Sequence, residues 1–219
     1  MPVLKEGIEK FKVKSLLDIG AGNGLLAIPL SKIVDNYLAI ESSASFAREL
    51  QKEGLKVIEA SFPIKVDDIF DMVLISHTIS YKKNLFMPFI NQAWDLLKPG
   101  GVLFIITYRG QEDDWTRLMS ELGQDPMDYN RLGYNKMIEY LYSLGEVKTR
   151  KVTTTVETIN LDDMIEALAF VASNGEPSRK SQFLNKISLI SKVLNSRYRT
   201  EKGYSFPFQH IFITTIKNR

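Results

Sequence analysis

The amino-acid sequence predicts an α/β fold, a doubly wound parallel sheet with helices on both of its faces. Short apolar segments alternate with helix-like segments from residue 15 to residue 107, which is the pattern of consecutive βαβ units. The first apolar segment ends in a glycine-rich turn, a common junction between a strand and a helix in such sheets. Because the 219 residues contain no internal repeat, low-complexity segment or long linker, we expect a single domain, residues 1–219.

The elements of the first half follow from apolar runs and from the glycines and prolines that end them. The Lys-Pro-Gly-Gly segment at 98–101 cannot continue a helix, so it separates the last helix of this half from the fifth strand. In chain order we predict a strand at 15–19, a helix at 25–34, a strand at 37–40, a helix through Phe46 and Leu50 that ends at Gly54, strands at 55–58 and 71–76, a helix at 85–97 and a strand at 102–107.

The second half changes rhythm and adds two predicted helical insertions, at about 110–133 and 160–202, after the fifth and sixth strands. Asn160 is a candidate N-cap, because Asp162 and Asp163 occupy the first turn behind it. Here we predict helices at 111–122 and 134–144, a strand rich in Thr and Val at 147–159, helices at 161–172 and 180–198, and a final strand at 205–216.

Composition excludes several function classes. The absence of cysteine removes disulfides, thiolate metal sites and cysteine nucleophiles, and with two histidines we expect no metal site. No apolar run is long enough to span a membrane, and residues 1–14 do not resemble a signal peptide, so we expect a cytoplasmic protein. The net charge of +2 is uneven, since residues 148–219 hold 12 Lys and Arg but only 6 Asp and Glu.

The glycine-rich turn and an acid after the second strand indicate a nucleoside-containing cofactor. Gly20, Gly22 and Gly24 follow Asp18 at the end of the first strand, where backbone can approach a ligand closely. Glu41 ends the second strand and is placed to accept hydrogen bonds from ribose hydroxyls. A dinucleotide fingerprint needs its third glycine at position 25, which is Leu25, so the spacing argues against NAD and nicotinamide-dependent redox chemistry.

Together with the Lys-Pro-Gly-Gly segment before the fifth strand, these motifs resemble the class I S-adenosylmethionine-dependent methyltransferases over residues 15–107. The resemblance implies a seven-stranded Rossmann-like methyltransferase sheet, with the last strand between the fifth and the sixth. It also implies S-adenosyl-L-methionine as the cofactor. The cofactor-binding residues implied are Asp18, Gly20, Gly22, Gly24, Glu41, Ser61, Phe62 and Ser76.

Within this implied set, Asp18 would organise the loop and approach the methionine amino group, and Glu41 would hold the ribose. Ser61 stands where many members of the family have an Asp for the adenine amine, and Phe62 would pack on the adenine face.

The same resemblance implies methyl transfer to a small-molecule O or N nucleophile. His77, directly after the fourth strand, is the candidate catalytic base, with a purely structural role as the alternative. Residues after Ser76 lack the prolines typical of enzymes that methylate base amines or glutamine amides. Candidate substrate-contacting residues are Tyr81, Tyr108, Arg109 and Trp115, of which Arg109 suits an anionic group.

An alternative hypothesis is an RNA-binding methyltransferase or adaptor that uses residues 180–202. Seven Lys and Arg and one acid fall between Arg179 and Lys202, and a helix at 180–198 would present many of them on one face. A solvated basic face explains the same pattern. The sequence specifies neither the methyl acceptor nor the oligomeric state.

Overall fold

The computed structural model describes residues 2–79, 86–108, 113–124, 127–173 and 177–218, with backbone alone at 108 and 127–132. The chain divides into two compact units. Unit 1 comprises Met1–Tyr108, Leu132–Lys151 and Ile211–Arg219, and unit 2 comprises Arg109–Arg131 and Val152–His210. The two segments of unit 2 overlap the two predicted helical insertions.

One sheet contains the described strands, in the order β3-β2-β1-β4-β5-β8-β6, with β7 paired to β8. The pairs β1/β2, β1/β4, β2/β3 and β4/β5 are parallel. This order confirms the predicted fold class, including the last long strand between the fifth and the sixth. The strands are β1 Ser15–Ile19, β2 Asn36–Glu41, β3 Val57–Glu59, β4 Phe70–Ser76, β5 Leu97–Tyr108, β6 Val147–Thr158, β7 Arg199–Thr200 and β8 Gly203–Ile216.

Helices alternate with the strands of unit 1, and further helices follow β5 and β6. Asn160 caps its helix as expected, because its Oδ1 accepts a hydrogen bond of 2.9 Å from the backbone N–H of Asp163. The helices are α1 Pro2–Phe11, α2 Ala27–Ser31, α3 Ala44–Lys52, α4 Phe86–Asp95, α5 Asp114–Glu121, α6 Met127–Leu144, α7 Leu161–Ser173, α8 Pro177–Leu184 and α9 Ile187–Arg197. None of the described helices is long and apolar enough to cross a membrane.

The core of unit 1 lies on both faces of the central strands β1, β4 and β5. Leu16, Leu17, Val73, Leu74 and Ile105 are at most 1% exposed, although neighbouring residues along a strand point to opposite faces. Burial on both faces explains why these strands read as continuous apolar runs rather than as alternating ones. The central strands therefore hold the carboxyl ends of β1, β2 and β4 in fixed positions at one edge of the sheet.

The fifth strand begins earlier than expected, at Leu97 instead of residue 102. The N–H of Gly100 donates to the carbonyl of Lys217 at 3.0 Å, and the N–H of Lys217 donates to the carbonyl of Gly101 at 2.9 Å. The Lys-Pro-Gly-Gly segment ends the helix, as predicted. It becomes strand because residues near the carboxyl terminus pair with it, a contact that local sequence does not encode.

Other boundaries also differ from the sequence analysis. Helix α1 lies in a segment to which we assigned no element, and α2 is shorter than the predicted 25–34. The single predicted helix at 180–198 is wrong, because residues 185–186 form a turn between α8 and α9. At this turn the Lys186 ammonium donates to the carbonyl oxygen of Leu122 within unit 2. A tertiary contact at this turn therefore accompanies the break between α8 and α9.

Candidate active site

The turn between β1 and α2 requires glycine at three alternate positions. Gly20, Gly22 and Gly24 have φ values of 77°, 58° and 85°, in the left-handed region that disfavours side chains. A Cβ on Gly20 would lie 2.3 Å from Oγ1 of Thr78, and one on Gly24 would lie 2.9 Å from Leu50. Around Gly22 there is no atom within 4 Å of that position, so its backbone borders open space.

Glu41 connects this glycine loop to the end of β2. Its Oε2 accepts a hydrogen bond of 2.7 Å from the N–H of Gly22, and its Oε1 accepts one of 2.7 Å from the N–H of Ser43. The side chain is buried, at 7% exposure. Each carboxylate oxygen can accept more than one hydrogen bond, so Glu41 keeps acceptor capacity for ligand hydroxyls.

Asp18 lies buried beneath the loop, and its Oδ2 accepts a hydrogen bond of 2.6 Å from the hydroxyl of Tyr37. Burial raises the pKa of Asp18 to about 6; the Tyr37 hydrogen bond partly opposes the rise and the nearby Glu41 charge adds to it. Burial and the Asp18 charge both raise the pKa of Tyr37, so the phenol stays protonated and remains the donor.

A cavity of about 390 Å³ opens at the carboxyl edge of the sheet, beside the glycine loop. It lies within unit 1, next to the ends of β1, β2 and β3 and to helix α4. Such an edge, outside the carboxyl ends of parallel strands, is where doubly wound sheets bind their ligands. The described residues that line it are Ile19, Gly20, Ile40, Ser42, Ala60, Ser61, Phe62, Pro63, Thr78, Pro88 and Phe89.

The far wall of this cavity is aromatic. The rings of Phe62 and Phe89 meet edge to face, with centroids 4.8 Å apart and planes at 73°. The Gln92 side chain donates to the carbonyl of Ile64, which ties the loop after β3 to α4. Ser61 is exposed beside this wall.

The end of β4 approaches the glycine loop from the other side. The Thr78 hydroxyl lies 3.2 Å from the carbonyl oxygen of Ile19 and 2.9 Å from that of Ser76, both of which are acceptors. His77 is exposed, has a φ of 55°, and donates its backbone N–H to the carbonyl of Ile106 at 2.9 Å. A non-glycine residue at positive φ is uncommon and projects its side chain differently from a strand residue.

Comparison with known proteins identifies the family of this chain. A family model described as a methyltransferase domain matches residues 3–141. The chain belongs to this methyltransferase family.

Two curated relatives align with part of this chain. The mitochondrial ubiquinone biosynthesis O-methyltransferase of Rattus norvegicus is 32% identical over 104 residues, 42% of this chain and 30% of the rat protein. The ubiquinone biosynthesis O-methyltransferase of Dinoroseobacter shibae is 25% identical over 165 residues, 58% of this chain and 66% of that protein. The chain thus spans about a third of one relative's length and just under two thirds of the other's.

Solved structures share its fold. The protein BH2331 of Bacillus halodurans C-125 superposes with a TM-score of 0.63 at 17% identity, over 100% of both chains. The O-methyltransferase TomG of Streptomyces achromogenes, involved in tomaymycin synthesis and solved in complex with S-adenosylmethionine, gives a TM-score of 0.51 at 16% identity. That match covers 99% of this chain and 78% of TomG.

The structure brings most of the expected cofactor residues to one edge of the sheet. Gly20, Ser61 and Phe62 line the cavity, and Glu41 holds the glycine loop through Gly22. The other expected cofactor residues are not among the lining residues: Asp18, Gly22, Gly24, Glu41 and Ser76. Asp18 lies buried beneath the glycine loop, where it binds Tyr37 and is close enough to Glu41 to feel its charge.

The structure describes fewer of the expected substrate residues than of the expected cofactor residues. Tyr81 and Arg109 lie outside the described residues, and Tyr108 ends β5 with a side chain that is likewise not described. Trp115 belongs to unit 2, where its ring contacts Phe183, Phe206 and Phe208 at centroid distances of 6.1, 6.5 and 5.7 Å. Trp115 therefore has a packing role within unit 2, whatever it adds to a substrate site.

Sequence reasoning missed three residues, two that line the cavity and one that binds Asp18. Phe89 reads as an ordinary apolar position of helix α4, and Thr78 as a neighbour of the more conspicuous His77. Tyr37 reads as part of an apolar strand, and nothing local indicates its hydrogen bond to Asp18. Parallel pairing of Asp18 with Ala39, two residues after Tyr37, is the signal that could have suggested it.

Several charges of the basic segment are paired within unit 2. Lys180 pairs with Glu166, Arg197 with Glu121 at 2.6 Å, and Lys186 donates to a backbone carbonyl. Exposed pairs of this kind fit both a solvated face and an RNA surface, so the RNA hypothesis stays a prediction. Across the described parts of the chain, no group of three His, Asp or Glu is arranged to hold a metal ion.

Proposed function

We propose that the protein is an S-adenosylmethionine-dependent methyltransferase that acts on an oxygen or nitrogen nucleophile of a small molecule. The observation that carries the proposal is the cavity of about 390 Å³ beside the glycine loop, in a chain of the methyltransferase family. Its position matches the edge where this class of sheet binds nucleoside cofactors.

The residues present suit that cofactor. Gly20 and Gly22 leave backbone accessible where a side chain would clash or intrude, and the open space at Gly22 admits a ligand. Glu41 offers carboxylate oxygens to ribose hydroxyls while it holds Gly22 and Ser43. Phe62 and Phe89 supply an apolar wall for a purine ring.

The cofactor, when bound, supplies an activated sulfonium methyl group. The protein then has to hold the acceptor in line behind that methyl and exclude water. A hydroxyl acceptor is protonated at neutral pH and needs a base, for which His77 is the candidate because it follows β4 and is exposed beside the cavity-lining Thr78. Its backbone bond to Ile106 fixes the start of this turn.

The names of the two relatives favour a substrate class. Both are named as O-methyltransferases of ubiquinone biosynthesis, which favours a hydroxyl oxygen over nitrogen as the acceptor atom. The acceptor would then be a small molecule carrying a hydroxyl of moderate acidity, such as a phenol. A phenol suits a single imidazole base better than an alkyl alcohol, because less of the proton-transfer cost falls on the base.

Two measurements test the proposal. Isothermal titration should detect both S-adenosylmethionine and S-adenosylhomocysteine at micromolar to submillimolar concentration. Radiolabelled methyl transfer to a panel of phenols and amines should label hydroxyl acceptors, and His77→Ala should lower kcat with little change in cofactor affinity. If neither ligand binds at ~1 mM, both the assigned cofactor and the proposed activity are wrong.

A further inference from the structure

The far end of the cavity, formed by the residues after β3 and by helix α4, is almost wholly apolar. Ala60, Phe62, Pro63, Pro88 and Phe89 line this end. The edge-to-face contact of Phe62 with Phe89 fixes the orientation of both rings. A flat heterocycle in this space meets carbon on most sides.

No carboxylate lines the cavity among the described residues. Glu41 already binds two backbone N–H groups, and its register partner Glu59 is exposed on β3. Asp67, farther along the same loop, pairs with Lys65 at 3.1 Å on an exposed surface. The polar side chains that do line the cavity are the neutral hydroxyls of Ser42, Ser61 and Thr78.

Of these hydroxyls, only that of Ser61 belongs to the apolar end. Thr78 lies at the glycine end, where it donates toward backbone carbonyls, and Ser42 follows Glu41 at the end of β2. An exposed serine can give or take a hydrogen bond with water as readily as with a ligand. It therefore discriminates weakly between a ligand amine and a substituted amine.

We propose that this methyltransferase holds the purine of its cofactor by apolar packing and does not select for a free exocyclic amine, so that it accepts adenosyl ligands substituted at N6. The inference rests on the proposed function. A site with a buried acceptor rejects a ligand that lacks the matching donor, because the acceptor is left unpaired. Among the described lining residues no buried side chain is such an acceptor, so no side chain imposes that penalty.

The wild-type protein tests this directly. Isothermal titration would compare S-adenosylhomocysteine with its N6-methyl and N6,N6-dimethyl derivatives, the last of which has no N–H at that position. We expect the three dissociation constants to agree within about threefold. A loss of tenfold or more for the dimethyl derivative would overturn the inference, whereas failure of S-adenosylhomocysteine itself to bind would instead overturn the proposed function.

Two substitutions at Ser61 locate the effect. Ser61→Asp restores a carboxylate at this position and should bind the dimethyl derivative at least tenfold more weakly than S-adenosylhomocysteine. Ser61→Leu is the matched control, similar in size to Asp but with no hydrogen-bonding group in its side chain, and should remain nearly indifferent. If folded Ser61→Asp, checked by its melting temperature, treats both ligands alike, Ser61 does not face the amine and the placement of the purine at this end of the cavity is overturned.

The apolar wall gives an independent readout. Phe89→Leu should weaken all three ligands by the same factor, about three- to tenfold, since packing and not the amine is affected. Met87→Leu, on the exposed side of α4, should change none of them. An effect of Phe89→Leu confined to the unsubstituted ligand would contradict purine packing against this ring.

Discussion

Two carboxyl groups at opposite ends of the sheet of unit 1 show how differently one fold treats charge. At the amino end, Asp71 pairs with the Lys98 ammonium at 2.9 Å and accepts from the backbone N–H and the hydroxyl of Ser15. At the glycine-loop end, Asp18 is bound by the neutral Tyr37 hydroxyl, and its charged neighbour is another acid, Glu41.

The consequences for the two pKa values are opposite. Burial opposes ionisation at both sites, but at Asp71 the hydrogen bonds from Lys98, Ser15 and Lys14 outweigh it and lower the pKa. At Asp18 burial dominates and raises the pKa to about 6. The carboxylate at the amino end therefore stabilises the fold, while the glycine-loop end keeps two neighbouring acids at a cost in stability.

The largest expected effect comes from filling the glycine loop. Gly20→Val should abolish cofactor binding, by more than a hundredfold in titration, because its Cβ would overlap Thr78 at a positive φ. Gly54→Val is the matched control, with a similar φ of 82° and no atom within 4 Å of the new Cβ. It should cost about 1–2 kcal/mol of stability and leave affinity intact. If Gly20→Val and Gly54→Val lowered cofactor affinity equally, backbone strain and not the overlap with Thr78 would be the cause.

Next in size is the pH dependence of stability at the two acids. The folded pKa of Asp18 lies above its usual 3.8, so its contribution is greatest below pH 4 and is lost as the pH rises through 6. Asp18→Asn keeps an acceptor for Tyr37. It should raise the free energy of unfolding at pH 7.5 by up to about 3 kcal/mol and remove this slope.

Asp71→Asn should do the reverse. Because its folded pKa is lowered, Asp71 stabilises the protein above its unfolded pKa, and this stability is lost as the pH falls. We expect a loss of about 1.5 kcal/mol at pH 7.5, at the low end for charged hydrogen bonds since the Lys98 side chain is 39% exposed. Urea denaturation from pH 4 to 8 measures both variants, and changes of the same sign would contradict the comparison.

A similar loss, in affinity, should follow Glu41→Ala. Removing the carboxylate takes away acceptors for ribose and the bond that holds Gly22, and should cost about 1.5–3 kcal/mol of cofactor affinity. Glu59→Ala, at the exposed register partner of Glu41, should have no effect. Unchanged affinity in Glu41→Ala would mean that other groups hold the ribose.

The smallest effect is expected at Ser61. Loss of one exposed neutral hydroxyl in Ser61→Ala should reduce cofactor affinity by less than about 1 kcal/mol. Titration with S-adenosylhomocysteine measures it. A loss as large as that of Glu41→Ala would show that the adenine end depends on a polar contact, contrary to its apolar lining.

Sequence reasoning worked best where a residue's role follows from its neighbours in the chain. The turn of Gly20, Gly22 and Gly24 requires local backbone freedom, and Asn160 caps the helix that directly follows it by binding an N–H three residues away. Both features can therefore be predicted from local sequence. It failed for α1, for the split at 185–186 and for the early start of β5. The start of β5 involves Lys217, more than a hundred residues away.

By itself, the sequence determined the strand alternation, the glycine loop and the acid after the second strand, because these depend on residue type and short-range spacing. Only the tertiary structure decided that Glu41 binds the loop, that Tyr37 holds Asp18, and that Phe89 completes an apolar cavity wall with Phe62. Those contacts join residues that are 19 to 27 positions apart in sequence and that meet only when parallel strands and their crossover helix pack together.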